Sequence, residues 1–492
     1  MTAGADALRR AAHGVVMPNF TGITPPPWLL RAADEGLAAV LLFGHNTPDP
    51  QTTAELTGEL RRLAPNVLVS SDEEGGDVTR VQHATGSVLP GAAALGSADD
   101  VELTRRCARA QGELMRAAGI DLPVTPVLDV ASRADNPVIG VRSFGADPEL
   151  VARHGVATVQ GLRAAGVASC AKHFPGHGDT NVDSHVGLPV LDVSEQVLRE
   201  RDLPPFAAAI EAGLDTVMTG HLHVPSIGPA PASQEPAAAT LARSLGLRGP
   251  IITDALDMGA LHDDPDAGPG TSAAASIAEA SVRALAGGAD LLCLGPAASR
   301  DDEGLFTTVL EAILTAVDQG RLDPGALLAS ADRNRALAAD LRRRQQGLPA
   351  PDLAQALTAV EQVGAEAAAA AVGTTGRVDL GPGDGLVDLR AGINLAAGAR
   401  VRAVPDQLIG RLGLVAVAPE DLTSWQSANP QRRLALLTRG TRDPLGPALA
   451  QAPEAVVIHL GVSGSAPAAP NLVLGFGSGL ANAREIARRC AR

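Results

Sequence analysis

ASCAKHFPGHGDT, residues 168 to 180, starts as a strand and ends as a polar loop, and the fold follows from how often that construction recurs. Ala168 to His173 is a short run of the kind that fills a buried parallel strand. Pro175, Gly176 and Gly178 then force an irregular loop in which polar groups can be aimed at one point. The same passage from apolar run to polar residues appears in SSDEEGG at 70–76, TPVLDV at 125–130, TGHLH at 219–223 and ITDALDM at 252–258. Besides Ala168 to His173, the predicted strands are His13 to Met17, Ala38 to Phe43, Val67 to Ser71, Asp121 to Pro126, Thr216 to Gly220, Pro250 to Asp254 and Leu291 to Gly295. Helical patterns rich in Ala, Leu and Arg separate them. Eight parallel strands close a barrel, and their C-terminal ends gather on the face where active sites sit. An open doubly wound sheet would also collect loops at its strand ends, so the strand count is what favours the barrel. The expected fold class is α/β: an N-terminal (β/α)8 TIM-type barrel with a smaller C-terminal α/β domain.

The barrel is expected to span residues 1–346. A Pro-containing hinge, QQGLPAPD at 345–352, leads into an Ala-rich helix from about Leu353 to Ala371, so that 347–372 reads as a linker helix. Residues 373–492 form the second domain, of ordinary size for one. Its predicted strands are Gly385 to Arg390, Arg402 to Val404, Leu412 to Ala418, Arg433 to Thr438 and Ala455 to Gly461, and LANAREIARRC is a terminal helix. VLGFGSGL at 473–480 places glycines between strand and helix, as phosphate-binding turns do, but without a P-loop lysine this is a weak nucleotide signal.

Composition narrows the function. The 492 residues are 45% hydrophobic and 19% charged, enough apolar material for a large core and too long for one ordinary domain. A net charge of −15 with no long basic run repels nucleic acid and acidic membranes. The N-terminus lacks the apolar stretch of a secretory signal and no segment reads as a membrane span, so a cytoplasmic location is expected. The four cysteines stand singly, as scattered buried thiols do. There are no tyrosines, two tryptophans and seven phenylalanines, which disfavours stacking a long polysaccharide on aromatic faces and favours a short substrate held by hydrogen bonds. Of 40 lysines and arginines only Lys172 is a lysine, a compact ammonium kept where a planar guanidinium would not serve.

KHFPGHGDTNVDSH, residues 172–185, concentrates three histidines, two aspartates and that lysine. One reading is a metal site, with His173, His177, His185, His221 and His223 as imidazole donors. Against it, the Lys172 ammonium would sit beside the cation, and no HExxH is present. The other reading is acid–base chemistry: Asp183, two residues from His185, can hold an imidazole nitrogen and fix its tautomer. Asp254 follows four apolar residues at a strand end, where a carboxylate can attack an anomeric carbon and leave again as a carboxylate. Helix capping is the plain alternative for Asp254. Asp257 reads as the start of the next loop or helix. In SDEEGGDVTR, Asp72 and Arg80 can bracket vicinal hydroxyls, or form an ordinary surface salt bridge.

Taken together, DEEGGDVTR, NPVIGVRSFG, KHFPGHGDT, DSH and TDALDM, in that order across residues 72–258, resemble the bacterial β-N-acetylglucosaminidase branch of glycoside hydrolase family 3. The strand rhythm extends the likeness to about residue 340. The resemblance implies that Asp254 is the nucleophile and that His185, held by Asp183, is the general acid/base. It implies that Asp72, Arg80, Arg142, Lys172 and His173 bind the hydroxyls of the non-reducing sugar, and that no cofactor or metal takes part. It further implies an exo-acting retaining enzyme releasing terminal GlcNAc from cell-wall muropeptide or chitin-derived fragments. After residue 373 no motif matches, and many members of the branch are single barrels. Rivals are a phosphorylase of the same family, a metal-dependent hydrolase, and an inactive sugar-binding protein; the first is reasonable because an imidazole does not repel phosphate as a glutamate would. Oligomeric state is not written in the sequence.

Overall fold

The computed structural model describes residues 3–261, 272–296, 301–391 and 402–492. Eight short parallel strands come first: β1 (Val16–Met17), β2 (Ala39–Leu42), β3 (Leu68–Ser71), β4 (Leu122–Pro123), β5 (Cys170–Phe174), β6 (Thr216–Thr219), β7 (Ile251–Thr253) and β8 (Leu292–Cys293). Runs β2-β3-β4 and β5-β6-β7 pair in parallel, as do β1 and β8. Closure is completed by the Val127–Lys172 bridge between the β4 and β5 segments, the Ile252–Leu291 bridge between β7 and β8, and the Leu41 N–H bonded to the Pro18 carbonyl. The eight predicted strands are all present, each shorter than its apolar run. Their inward side chains, including Met17, Leu41, Leu122, Cys170, Met218 and Ile252, fill the interior, and Leu337, Ala338 and Leu341 of the helix Pro324–Gln345 join the same cluster. The barrel is a packed core with its chemistry at one rim.

The surrounding helices begin where the sequence says they must. Asp49-Pro50, Asp147-Pro148 and Asp323-Pro324 each place an aspartate at the N-cap, its carboxylate accepting a first-turn N–H, and a proline at the first helical position. The helix Leu353–Ala371 lays Ala356, Val360, Val363 and Ala367 against the barrel's apolar layer, where the Cys107 thiol of the helix Val101–Ala117 meets the Val363 carbonyl.

Beyond it lies a six-stranded sheet. Its strands are β9 (Gly373–Thr375), β10 (Gly385–Asp388), β11 (Val415–Val417), β12 (Leu434–Thr438), β13 (Val456–His459) and β14 (Asn471–Leu474), ordered β11-β10-β12-β13-β14-β9, parallel except for β9. Two apolar layers cover its faces, and the terminal helix Leu480–Cys490 closes one of them. The strand expected at Arg402 to Val404 is a correction: a helix runs Ala403–Leu412, with Val404, Leu408 and Leu412 buried one turn apart. Strand β9 escapes the sequence reading because it is a mostly exposed edge, while β14 is the strand read just before the glycines of VLGFGSGL. All four cysteines are free and buried. Among the described residues no helix is long and apolar enough to cross a membrane.

Candidate active site

The C-terminal rim of the barrel opens into a cavity of 610 Å³. Asp72 enters it directly after β3, Lys172 and His173 from within β5, Asp254 directly after β7, Arg80 and Arg142 from the loops after β3 and β4, and His185 from the loop after β5. Asp183 stands behind His185 and does not line the cavity wall. The eight residues singled out in the sequence, spread over more than 180 positions, therefore meet at one place.

One half of the site is a buried charge network. Lys172 Nζ lies 2.7 Å from both Asp72 Oδ1 and Glu74 Oε1. Arg142 forks onto Glu74, Nε to Oε2 at 2.9 Å and Nη2 to Oε1 at 2.8 Å, and its Nη2 is 3.2 Å from His173 Nε2. Arg80 Nη2 reaches Asp72 Oδ2 at 3.4 Å. Burial by itself would raise the Asp72 carboxyl, but the charges of Lys172, Arg80 and Arg142 outweigh it and hold the group well below the usual carboxylate range. Glu74, also buried, is drawn down to about 2 by Arg142 and Lys172. Desolvation would lower the Lys172 ammonium, yet Asp72 and Glu74 raise it. At neutral pH the network is fully ionised, a rigid array of fixed charges and donors of the kind that grips hydroxyl groups. Glu73 is a separate element: its Oε2 accepts the N–H groups of Arg80 (3.0 Å) and Val81 (3.2 Å), tying the loop to itself, and burial pushes its carboxyl up to about 7.

The other half carries a carboxylate and an imidazole. Asp254 is fixed through its backbone, whose N–H donates to the Thr219 carbonyl at the end of β6 (3.0 Å), and its Oδ1 accepts the Ala255 N–H at 2.8 Å. Burial would raise it, but His173, His221 and His185 pull it below the ordinary value, so it is an anion ready to act as a nucleophile. His185 Nδ1 is 2.7 Å from Asp183 Oδ1, and the same oxygen accepts the His185 backbone N–H at 2.9 Å. Hydrogen bonds from His185 more than offset the effect of burial on Asp183, which stays ionised. The carboxylate thus keeps a proton on Nδ1 and leaves Nε2 for exchange with a substrate.

Three contributors lie outside the residues chosen from sequence as binding or catalytic: Glu74, Asp129 and His177. Asp129 accepts from His173 Nδ1 at 2.7 Å and from the backbone N–H of His173 and His177 at 3.1 and 2.7 Å, orienting both rings. His177 is held by Thr180 Oγ1 at 2.6 Å and Ser184 Oγ at 3.3 Å; burial above all lowers it to about 4, so it is neutral. His221 lies between Ser233 Oγ (2.7 Å) and the Ala255 carbonyl (3.0 Å). These rings are each committed to protein partners, and among the described residues no three His, Cys, Asp or Glu side chains converge as a metal-binding group. The signal for Glu74 was present in the acidic pair before Gly75-Gly76; Asp129 sat in TPVLDV at a strand end with nothing to mark its partner.

Comparison with known proteins places this geometry. Residues 31–336 match the family described as glycosyl hydrolase family 3 N terminal domain. A β-hexosaminidase A of Pseudoalteromonas piscicida is 34% identical over 266 residues, 49% of this chain and 44% of that one. A β-hexosaminidase of Xanthomonas axonopodis pv. citri is 38% identical over 242 residues, 47% of this chain and 71% of that one. This chain thus spans less than half the length of the first relative. The structure of a glycoside hydrolase family 3 β-N-acetylglucosaminidase from Paenibacillus sp. str. FPU-7 superposes with a TM-score of 0.82 at 26% identity, covering 98% of this chain and 95% of that one, the C-terminal domain included.

Proposed function

Because the chain belongs to glycosyl hydrolase family 3, we propose that it is a retaining, exo-acting β-N-acetylglucosaminidase that releases terminal GlcNAc from small glycosides. The observation that carries the proposal is that the ionised Asp254 and the Asp183-backed His185 face the same 610 Å³ cavity, beside the Asp72–Lys172–Glu74–Arg142 network.

In the first step an Asp254 oxygen attacks the anomeric carbon, the bond from that carbon to the leaving oxygen breaks, and the departing oxygen takes the proton from His185 Nε2. In the second, His185 takes a proton from water, the water oxygen attacks the same carbon, and Asp254 leaves as a carboxylate. Two inversions give net retention. Asp183, ionised throughout, favours the imidazolium that donates in the first step and is regenerated in the second; in the glycosyl-enzyme between them the ring is neutral. Asp72, Arg80, Arg142, Lys172 and His173 hold the sugar hydroxyls, with Glu74 fixing Lys172 and Arg142 in place.

The relatives are named for hexosaminidase and β-N-acetylglucosaminidase activity, which supports GlcNAc as the glycone. A cavity of this size and a chain poor in aromatic residues suit short ligands, so muropeptide or small chitin-derived fragments handled in the cytoplasm are the substrates of this reading. The test is incubation with p-nitrophenyl β-N-acetylglucosaminide with and without phosphate, followed by identification of the sugar. Free GlcNAc at a phosphate-independent rate is expected; GlcNAc 1-phosphate formed only with phosphate would replace hydrolysis with phosphorolysis.

A further inference from the structure

The glycine-rich turn Gly475–Gly479 has the look of a phosphate cradle in sequence, but two of its amides are already used, that of Gly475 by the His459 carbonyl at 2.8 Å. The Ser478 N–H donates to Asp77 Oδ1. Asp77 Oδ2 pairs with Arg439 Nη2 at 3.2 Å, and the Asp77 side chain is 2% exposed. A Cβ at Gly479 would lie 2.9 Å from the Gly76 carbonyl oxygen, so backbone meets backbone there. Between the glycines, Phe476 adopts φ +51, rare for a residue with a large side chain, and its ring packs with Ala93, Ala94, Val141 and Ala371. The turn therefore grips two segments of the barrel rim at once. Asp77 belongs to the loop that carries Asp72, Glu74 and Arg80, and Val141 is the residue before Arg142.

We infer that this turn of the C-terminal domain is a clamp that positions the sugar-binding loop 72–80 and Arg142, with Asp77 as its positioning residue. A buried carboxylate must be satisfied. Among the described residues, Asp77 Oδ1 takes its hydrogen bond from Ser478 and Oδ2 its ion pair from Arg439, both beyond residue 430, so the carboxylate finds these partners when the domain is docked. The loop turns at Gly75 and Gly76, at φ +80 and +60, where glycine costs least and holds least by itself. The clamp touches no sugar; it acts through Asp72 and Arg80, and so rests on the hydroxyl-binding reading given above.

The test uses the full chain with Asp77→Ala, Asp77→Asn and Arg439→Gln. Amide exchange is read at Gly76, Val78, Arg80 and Val81, whose N–H groups are bonded to Leu89, Gly75 and Glu73. With Asp77→Ala these amides should exchange about tenfold faster or more while the barrel strands keep their protection. KM for p-nitrophenyl β-N-acetylglucosaminide should rise about tenfold with kcat little changed, the pattern of lost uniform binding. Asp77→Asn, which keeps an acceptor for Ser478, should recover much of both effects, and Arg439→Gln should give the same pattern in weaker form if Asp77→Ala folds poorly. A merely structural role would lower the fraction of active enzyme, and hence apparent kcat, at constant KM. Unchanged exchange at these amides overturns the clamp. Faster exchange with KM unchanged instead overturns the assignment of Asp72 and Arg80 to the sugar.

Discussion

Replacing Lys172 with methionine keeps an unbranched side chain one atom shorter and deletes its charge. The ammonium lies 2.7 Å from two carboxylates and its side chain is 2% exposed; when it goes, Glu74, 5% exposed, gains little compensating water, and Asp72, 19% exposed, gains only part of what it loses. Arg142 still holds Glu74 by two bonds, while among the described residues Asp72 keeps the Arg80 contact at 3.4 Å. Removing one partner of a buried pair costs about 3–5 kcal/mol. At about 2 °C per kcal/mol for a large domain, melting at pH 7 should fall by about 6–10 °C. The pH dependence follows from the depressed carboxyls. Each contributes stability that is present above the unfolded carboxyl value and lost as pH falls toward its folded value, about 2 for Glu74 and low for Asp72. In Lys172→Met those folded values move up, so acid removes less from the variant than from the wild type. Thermal unfolding of both proteins between pH 7 and pH 3.5 should show the gap widest at pH 7 and closing below about pH 4. A variant as stable as the wild type at pH 7, or a gap indifferent to pH, would refute the reasoning.

His185→Ala should lose about 10²–10⁴-fold in kcat/KM on a GlcNAc disaccharide, whose leaving oxygen needs a proton, and much less on the p-nitrophenyl glycoside, whose leaving group does not. Equal losses on the two substrates would count against the acid role. Gly178→Ala would place a Cβ 1.8 Å from the Val130 carbonyl oxygen, a backbone clash beneath the loop that carries His185. It should destabilise the protein by about 2–3 kcal/mol, and an unchanged melting curve would disprove the close approach. Prolonged treatment with a strong chelator should leave turnover unaffected, whereas a loss restored by zinc would revive the metal reading of the histidine cluster.

The barrel was legible because eight apolar runs recur, five of them ending in polar punctuation, and because Asp-Pro pairs announce helix starts at residues 50, 148 and 324. The second domain was less so. Val404 looks like the end of a strand, but its one-turn spacing to Leu408 and Leu412 belongs to a helix, and Pro405 in the first turn agrees with that. Strand β9 has no apolar pattern to find, since it is an edge with two of its three residues exposed. In the site, Asp183 and His185 could be paired from sequence because one residue separates them. The partners of Lys172 could not, because Asp72 and Glu74 lie 100 and 98 positions away and only barrel closure sets β3 near β5. The glycines of VLGFGSGL were noticed for the wrong ligand: what they admit is the backbone of Gly76 and the carboxylate of Asp77, a need that local sequence cannot express.

Covalent catalysis by Asp254 is tested most directly by trapping the glycosyl-enzyme. The protein would be treated with a 5-fluoro-GlcNAc donor bearing an activated leaving group, chosen so that the second step is slow, and the digested protein mapped by mass spectrometry. The prediction is one glycosyl unit on Asp254 and none on Asp254→Ala, whose turnover should fall by about 10³-fold or more. A glycosyl unit on Asp72, Asp257 or any other carboxylate, or α-GlcNAc as the first anomer released from a β-glycoside, would contradict it.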